Sequence, residues 1–163
     1  NIRLLFSYED KPLGTAGALK HCEHLLRTKA FIVLNGDSYC SLDYASLIGF
    51  HEENKGVASL VVVTPDPART DGGYIELGSN NRILSFHEKE PKPDCYLSAG
   101  IYVFDHSVLN FIQPQSFSSL ENDIFPKLTS DYLYGFITPE KLYDIGTPER
   151  LENFKNVYLS LQK

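Results

Sequence analysis

Residues 31–65, FIVLNGDSYCSLDYASLIGFHEENKGVASLVVVTP, hold two short apolar runs with a helix-forming stretch between them. FIVLN at 31–35 runs into Gly36-Asp37, as a buried parallel strand does where it ends in a loop. DYASLIGFHEENK sets Tyr44, Leu47, Ile48 and His51 at helical spacing, and Gly56 reads as its stop. VASLVVVTP at 57–65 is then the next strand. Strand, helix, strand is the pattern of an α/β sheet with right-handed crossovers.

Downstream, GYIELG and NRILSFHEK are separated by Ser79-Asn80-Asn81 and read as a hairpin on the edge of the main sheet. YLSAGIYVF at 96–104 returns to a buried strand, and HSVLNFI reads as a helix. The polar turn QPQSFSS leads into LENDIFPKL, where Ser119 is placed to cap a helix whose first turn carries Glu121 and Asp123. YLYGFIT and KLYDIG supply the last strands. The final helix has Thr147 as cap and Pro148 at its first position, with Leu151, Phe154, Tyr158 and Leu161 on one face. No repeat, low-complexity tract or linker interrupts this order, so residues 1–163 read as part of one domain.

Composition narrows the function. The chain is 42% hydrophobic and 12% aromatic, as a globular interior requires. Its net charge of −6, with no basic block, argues against nucleic acid or an anionic membrane as partner. No apolar run approaches the roughly 18 residues that span a bilayer. NIRLLFSYEDK lacks the order of charge, apolar core and small residues of a signal peptide, and a cytoplasmic protein acting on small molecules is expected. Cys22, Cys40 and Cys95 show neither disulfide nor zinc spacing. His21 and His24 share a helix face, but with no third ligand nearby they read as solvated. The chain has no methionine, from which we expect that it begins within a longer protein.

Three places carry candidate chemistry. In PLGTAGALK, Gly14 and Gly17 strip side chains from the start of a helix. The amides of residues 14–18 are then free to lie against a planar or anionic ligand, or the glycines simply ease a tight connection. Asp37 and Asp144 each follow a strand at the mouth of the sheet, where two hard oxygen donors suit Mg²⁺ carried in on phosphates; the plain alternative is turn chemistry. Glu88-Lys89 ends the hairpin strand, a point charge suited to phosphate beside an acceptor suited to sugar hydroxyls, or else a surface ion pair.

Taken in order, E-x-x-x-LGTAG at 9–17, NGD at 35–37, EK at 88–89, SAGIYVF at 98–104, SLEND at 119–123 and DIGTP at 144–148 resemble the sugar-nucleotide pyrophosphorylases, nucleotidyltransferases that join a nucleoside triphosphate to a sugar 1-phosphate. NGDS, SLEND and DIGTPERL are most similar to the guanylyltransferases acting on heptose or mannose 1-phosphate, the D-glycero-D-manno-heptose branch above all. The resemblance implies a Rossmann-like (GT-A-like) three-layer α/β/α fold with a mostly parallel sheet. It also implies Mg²⁺ as cofactor, a nucleoside triphosphate (GTP favoured) and a sugar 1-phosphate as partners, and scope for a homo-oligomer.

Residue by residue, the resemblance assigns Glu9, Leu13, Gly14, Thr15, Gly17, Asn35 and Gly36 to the nucleotide. It assigns Glu88, Lys89, Ser98, Gly100 and Glu121 to the sugar phosphate, Asp37 and Asp144 to the metal, and Asp37, Lys89 and Asp144 to catalysis. Asp123 reads instead as compensation of the helix dipole. Glu9 suits guanine, whose N1-H and N2-H₂ offer two adjacent donors to one carboxylate, where thymine or uracil offers one.

Departures from the pattern accompany these assignments. Glu90 stands between Lys89 and Pro91, where the family has proline at once, and Ser98 replaces the asparagine common before A-G. The family's G-x-G-T-R signature and its P-K are not found in residues 1–163. The expectation is that residue 1 joins the fold at its third strand, after two strand-helix units of about 30 residues each. The chain alone would then bind a nucleotide-sugar without turning over, and its open sheet edge would pair with a preceding segment or another chain. Thymidylyltransferase-type specificity, a glycosyltransferase and a non-catalytic subunit of the same fold are the alternatives, the second weakened by the lack of a D-x-D.

Overall fold

The computed structural model describes residues 2–66, 72–88, 94–129 and 132–161, without the side chains of 88, 160 and 161. Residues 2–9 form no regular element, and the chain then enters helix α1, Gly14–His21. Strand β1, Ala30–Leu34, is followed by a short strand β2, Ser38–Cys40, helix α2, Tyr44–Asn54, and strand β3, Ala58–Val63. The hairpin β4, Gly73–Leu77, and β5, Ile83–Glu88, comes next, then the long strand β6, Tyr96–Asp105. A 3₁₀ segment, His106–Phe111, and a π-helical turn, Leu120–Ile124, lead into the single turn α3, Phe125–Leu128. Strands β7, Leu133–Ile137, and β8, Leu142–Asp144, precede helix α4, Pro148–Leu161.

The main sheet runs in the order β5-β4-β6-β3-β7, with β1 also paired to β6, and β2 and β8 form a separate two-stranded ribbon. This corrects the expectation of a mostly parallel sheet. Strands β1, β3, β4 and β7 do point the same way, but β6 runs against its neighbours β1, β3 and β4. Only β3 and β7 are hydrogen-bonded in parallel among the described strands. Strand β1 also differs from the buried strand expected of FIVLN. It uses one edge only among the described residues, and Ile32 and Leu34 are exposed.

Side-chain alternation builds the three layers. On β3, Ala58, Leu60 and Val62 face a cluster with Tyr102, Phe104, Ile124, Phe125 and Leu128, while Val61 and Val63 face a second with Leu47, Leu97, Ile101 and Val103. The first cluster lies under α1, the 3₁₀ segment, the π turn and α3, and the second under α2 and the ribbon. Phe125 fills the first, stacked on Phe86 with centroids 5.0 Å apart.

Several boundaries follow local chemistry. Asp43 caps α2, accepting from Ala45 N at 3.0 Å. Its stop is Lys55 in the left-handed region (φ 53°), not Gly56 as read from the sequence. Gly56 serves packing instead: a Cβ there would sit 2.6 Å from the Tyr134 ring. LENDIFPKL is not one helix, because Pro126 has no N–H to continue an α ladder; the backbone opens into the π turn, with Phe125 N donating to Leu120 O. HSVLNFI is 3₁₀ rather than α, capped by Asp105, which accepts from Ser107 N at 2.9 Å.

Candidate functional site

The sequence aspartates meet through the ribbon. Strand β2 pairs antiparallel with β8 in the register Ser38↔Asp144, and Ile145 N donates to Asp37 O at 2.8 Å. A Cβ built on Gly146 would lie 3.2 Å from Asp144 Oδ1 and 3.3 Å from Asp37 Oδ2, so both carboxylates close on one small space over that glycine. Gly146 N donates to Asp144 Oδ1 at 2.9 Å, and Arg150 Nη1 pairs with Asp144 Oδ2 at 2.6 Å. Thr147 caps α4 as expected, accepting from Arg150 N at 3.2 Å, which sets the arginine beside the carboxylate. Among the described residues no group of three or more His, Cys, Asp or Glu could hold a metal. Two hard carboxylates on a bare glycine nonetheless fit Mg²⁺, whose remaining positions phosphate and water would fill.

Next to Asp37, the turn after β1 touches a bulge in β6. The β3–β6 register slips between Leu60↔Tyr102 and Val62↔Ser98, leaving extra residues on β6 around Gly100. Gly100 has φ +70°, donates its N–H to Ser98 Oγ at 3.4 Å and accepts from Asn35 N at 2.8 Å. A Cβ on Gly100 would fall 2.7 Å from Asn35 Nδ2, so the glycine is what lets Asn35 approach. By contrast a Cβ on Gly36 meets nothing within 4 Å, and packing does not explain that glycine.

Tyr102, absent from the sequence assignments, is the buried link between Asn35 and Glu121. Its hydroxyl donates to Glu121 Oε1 at 3.4 Å and interacts with the Ser98 and Asn35 side chains. Burial and the Glu121 carboxylate push the phenol well above its ordinary value, so it stays protonated and donating. Strand alternation was the available signal, since Ser98, Gly100 and Tyr102 fall on one face of β6. Glu121, on the π turn, also accepts from Ser119 Oγ at 2.8 Å and Thr15 Oγ1 at 3.1 Å. With Ser98, Gly73, Phe86, His87 and Asn122 it lines a cleft over the first core cluster. Asp123 turns away to accept from Ser119 N at 2.7 Å and Ser118 Oγ at 3.3 Å, which agrees with its structural reading.

The glycine loop is engaged differently from a bare ligand platform. Ala16 N and Gly17 N donate to Ser118 O at 3.0 and 3.2 Å, so two amides of the 14–18 run are spent within the protein. Cβ atoms on Gly14 (φ +73°) and Gly17 would collide with Ser118 O at 2.5 Å and Ser116 O at 2.6 Å. Both glycines therefore allow a close approach of the α1 start to the backbone of residues 116–118, a contact that neither sequence reading described. Leu13 accepts from Ser118 N at 2.8 Å and donates to Glu9 Oε2 at 2.9 Å, which folds Glu9 back over the start of α1. Lys89 lies outside the described residues, as do Glu90 and Pro91, and Glu88 is described only as the end of β5. No described helix is long and apolar enough to cross a membrane.

Comparison with known proteins identifies the family of the chain. Over 135 residues the chain is 35% identical to the mannose-1-phosphate guanylyltransferase catalytic subunit beta of Dictyostelium discoideum, covering 80% of this chain and 36% of that protein. With the mannose-1-phosphate guanylyltransferase of Mycobacterium tuberculosis it shares 32% over 140 residues, 83% of this chain and 39% of the other. The chain thus spans less than half the length of these curated relatives. Among solved structures, HddC from Yersinia pseudotuberculosis superposes with a TM-score of 0.76 at 28% identity, over 89% of this chain and 62% of that one. The sequence profile described as nucleotidyl transferase matches residues 1–160, and the chain belongs to the nucleotidyl transferase family.

Proposed function

We propose that this chain carries the nucleotide loop, metal carboxylates and sugar pocket of a cytoplasmic sugar-1-phosphate nucleotidyltransferase. The reaction would move GMP from GTP to a mannose- or heptose-type sugar 1-phosphate and release pyrophosphate. One observation carries the reading: the Asp37–Asp144 pair stands at the end of the turn whose Asn35 touches Gly100 and Tyr102, and Tyr102 leads on to Glu121 in the cleft. A metal-phosphate centre and a hydroxyl-binding pocket are thereby continuous. The names of the curated relatives support mannose 1-phosphate and guanine, and the HddC neighbour has been solved complexed with GMP-PN.

In this scheme a sugar phosphate oxygen attacks the α-phosphorus in line. The bond from the α-phosphorus to the bridging oxygen breaks, and pyrophosphate leaves with that electron pair. Most of the catalysis is positioning and charge neutralisation. Mg²⁺ between Asp37 and Asp144 would supply positive charge at the α-phosphate. Glu121, held by donors on three sides, keeps its carboxylate turned for sugar hydroxyls, and Lys89 is assigned to the sugar phosphate. Glu9 selects guanine through the pair of donors on its edge.

Calorimetric titration with GDP-mannose tests this. The expected result is binding that weakens at least tenfold when Mg²⁺ is withheld or Asp37→Asn is introduced, with GTP preferred to dTTP and Glu9→Gln reducing that preference. Equal binding of GTP and dTTP by both forms would remove guanine from the proposal, and Mg²⁺-independent binding would remove the metal.

A further inference from the structure

Thr15 sits in the loop that the family resemblance gives to the nucleotide, yet its hydroxyl is used elsewhere. It donates to Glu121 Oε2 at 3.1 Å and accepts from Leu120 N at 2.8 Å, so both its hydrogen-bonding directions are committed to the π turn. Helix α1 has no side-chain cap; two of its first amides go to Ser118 O, and Ser118 N goes back to Leu13 O. The two glycines remove the side chains that would hold these backbones apart. The start of α1 and residues 116–121 thus form one clasp, over which the Phe117 ring packs against Gly14, and the Thr15 side chain crosses it by hydrogen bonds that end on the carboxylate facing the cleft.

We propose that Thr15 is a positioning residue for the sugar: through its hydroxyl it fixes the rotamer of Glu121, and the glycine loop thereby shapes the sugar cleft. This rests on the function proposed above. Of the three hydroxyls on Glu121, Ser119 comes from the same turn and Tyr102 from the sheet below. Thr15 is the one that comes from the nucleotide loop. Both of its bonds depend on a hydroxyl at that position and neither on the methyl, so serine should replace threonine and valine should not.

The test pairs two probes with two variants. GDP-mannose and GDP are titrated against the wild type, Thr15→Val and Thr15→Ser. The expected result is that Thr15→Val weakens GDP-mannose about tenfold, the effect of losing a hydrogen bond to a charged acceptor, with GDP changed less than about twofold, and that Thr15→Ser restores the wild-type values. Equal weakening of both ligands would mean that Thr15 serves the nucleotide and would overturn the proposal. A second readout needs no ligand: the Glu121 carboxyl ¹³C resonance should move in Thr15→Val and return in Thr15→Ser. An unmoved resonance overturns the positioning role whatever binds. A moved resonance in a wild type that fails to bind GDP-mannose would uphold the clasp and reject the nucleotide-sugar reading.

Discussion

Gly100 shows how much one residue carries in this site. It is held at φ +70° with the Asn35 side chain where its own Cβ would be, so alanine there meets both backbone strain and a collision. Gly100→Ala should cost about 1–3 kcal/mol in urea unfolding, and it should weaken GDP-mannose binding further by pushing Asn35 away from Tyr102. An unchanged unfolding midpoint would show that the bulge relaxes at no cost. His51 gives a residue-scale prediction of a different kind. It is buried between α2 and β3, with Nδ1 3.0 Å from Ser59 Oγ. Burial, with Lys29, lowers its pKa below the ordinary 6.5 against the opposing pull of Asp105 and Glu52. The unfolded chain therefore takes up this proton at a higher pH than the folded one. The stabilising effect is complete above pH 6.5, falls away as the pH drops towards the folded pKa, and is flat below it. Asp43 and Asp105, lowered chiefly by hydrogen bonds from Ser46 and Ser107, act only in a lower window, beneath 3.8. Stability measured by denaturant between pH 7 and 5 should decline in the wild type and stay level in His51→Gln.

At the scale of elements, the ribbon and α4 hold the carboxylates of Asp37 and Asp144 in place, and one aromatic cluster holds the ribbon. Phe154 stands 4.9 Å from Tyr39 and 5.1 Å from Tyr143, one ring on each strand, and 5.8 Å from Tyr158 on its own helix. The helical spacing of Leu151, Phe154 and Tyr158 was legible in the sequence, but Leu151 and Tyr158 remain exposed because α4 packs on a two-stranded ribbon and not on the broad sheet. Phe154→Ala should cost about 1–3 kcal/mol, less than a core phenylalanine because the site is only half-buried. Hydrogen exchange should quicken in α4, β2 and β8 and stay unchanged in β3 and β6. Uniform quickening would mean that the ribbon is not a separate unit. What the sequence could and could not disclose divides along similar lines. Caps, strand positions and the order of motifs are local, and Asp43, Ser119, Thr147 and the runs at 31–34 and 58–63 could be read from neighbours in the chain. The insertion of β6 against its neighbours, the commitment of Thr15 to Glu121 and the closing of Gly14 and Gly17 on residues 116–118 are contacts between distant segments, and no periodicity encodes them.

For the whole molecule, the sheet ends differ in how they are finished. Strand β5 ends the order on the hairpin side, although the hairpin also reaches β7 through an antiparallel bridge between Arg82 and Tyr134, and at the other end β7 is backed by α2, with the Phe50 and Phe136 rings 5.3 Å apart. Strand β1 has a different setting: beside β4 it pairs with the same edge of β6, and no described strand covers its outer side. Leu34 is 53% and Ile32 37% exposed there, and a groove of about 680 Å³ runs past Phe31 and Ile32 to Ile48 and His51 on α2. An uncovered run of backbone donors and acceptors beside apolar side chains is a template for another strand. The 163-residue chain should therefore associate, with a sedimentation coefficient that rises with concentration. Replacing both Ile32 and Leu34 with lysine should return it to the monomer value, because a charge at the edge opposes pairing. Both side chains are exposed, so the double variant should keep its unfolding midpoint, and a loss of association can then be assigned to the edge itself and not to a damaged core. A wild type that sediments as a monomer at every concentration would show that the edge is closed in solution, by residues 2–9 or by the side chains along β1.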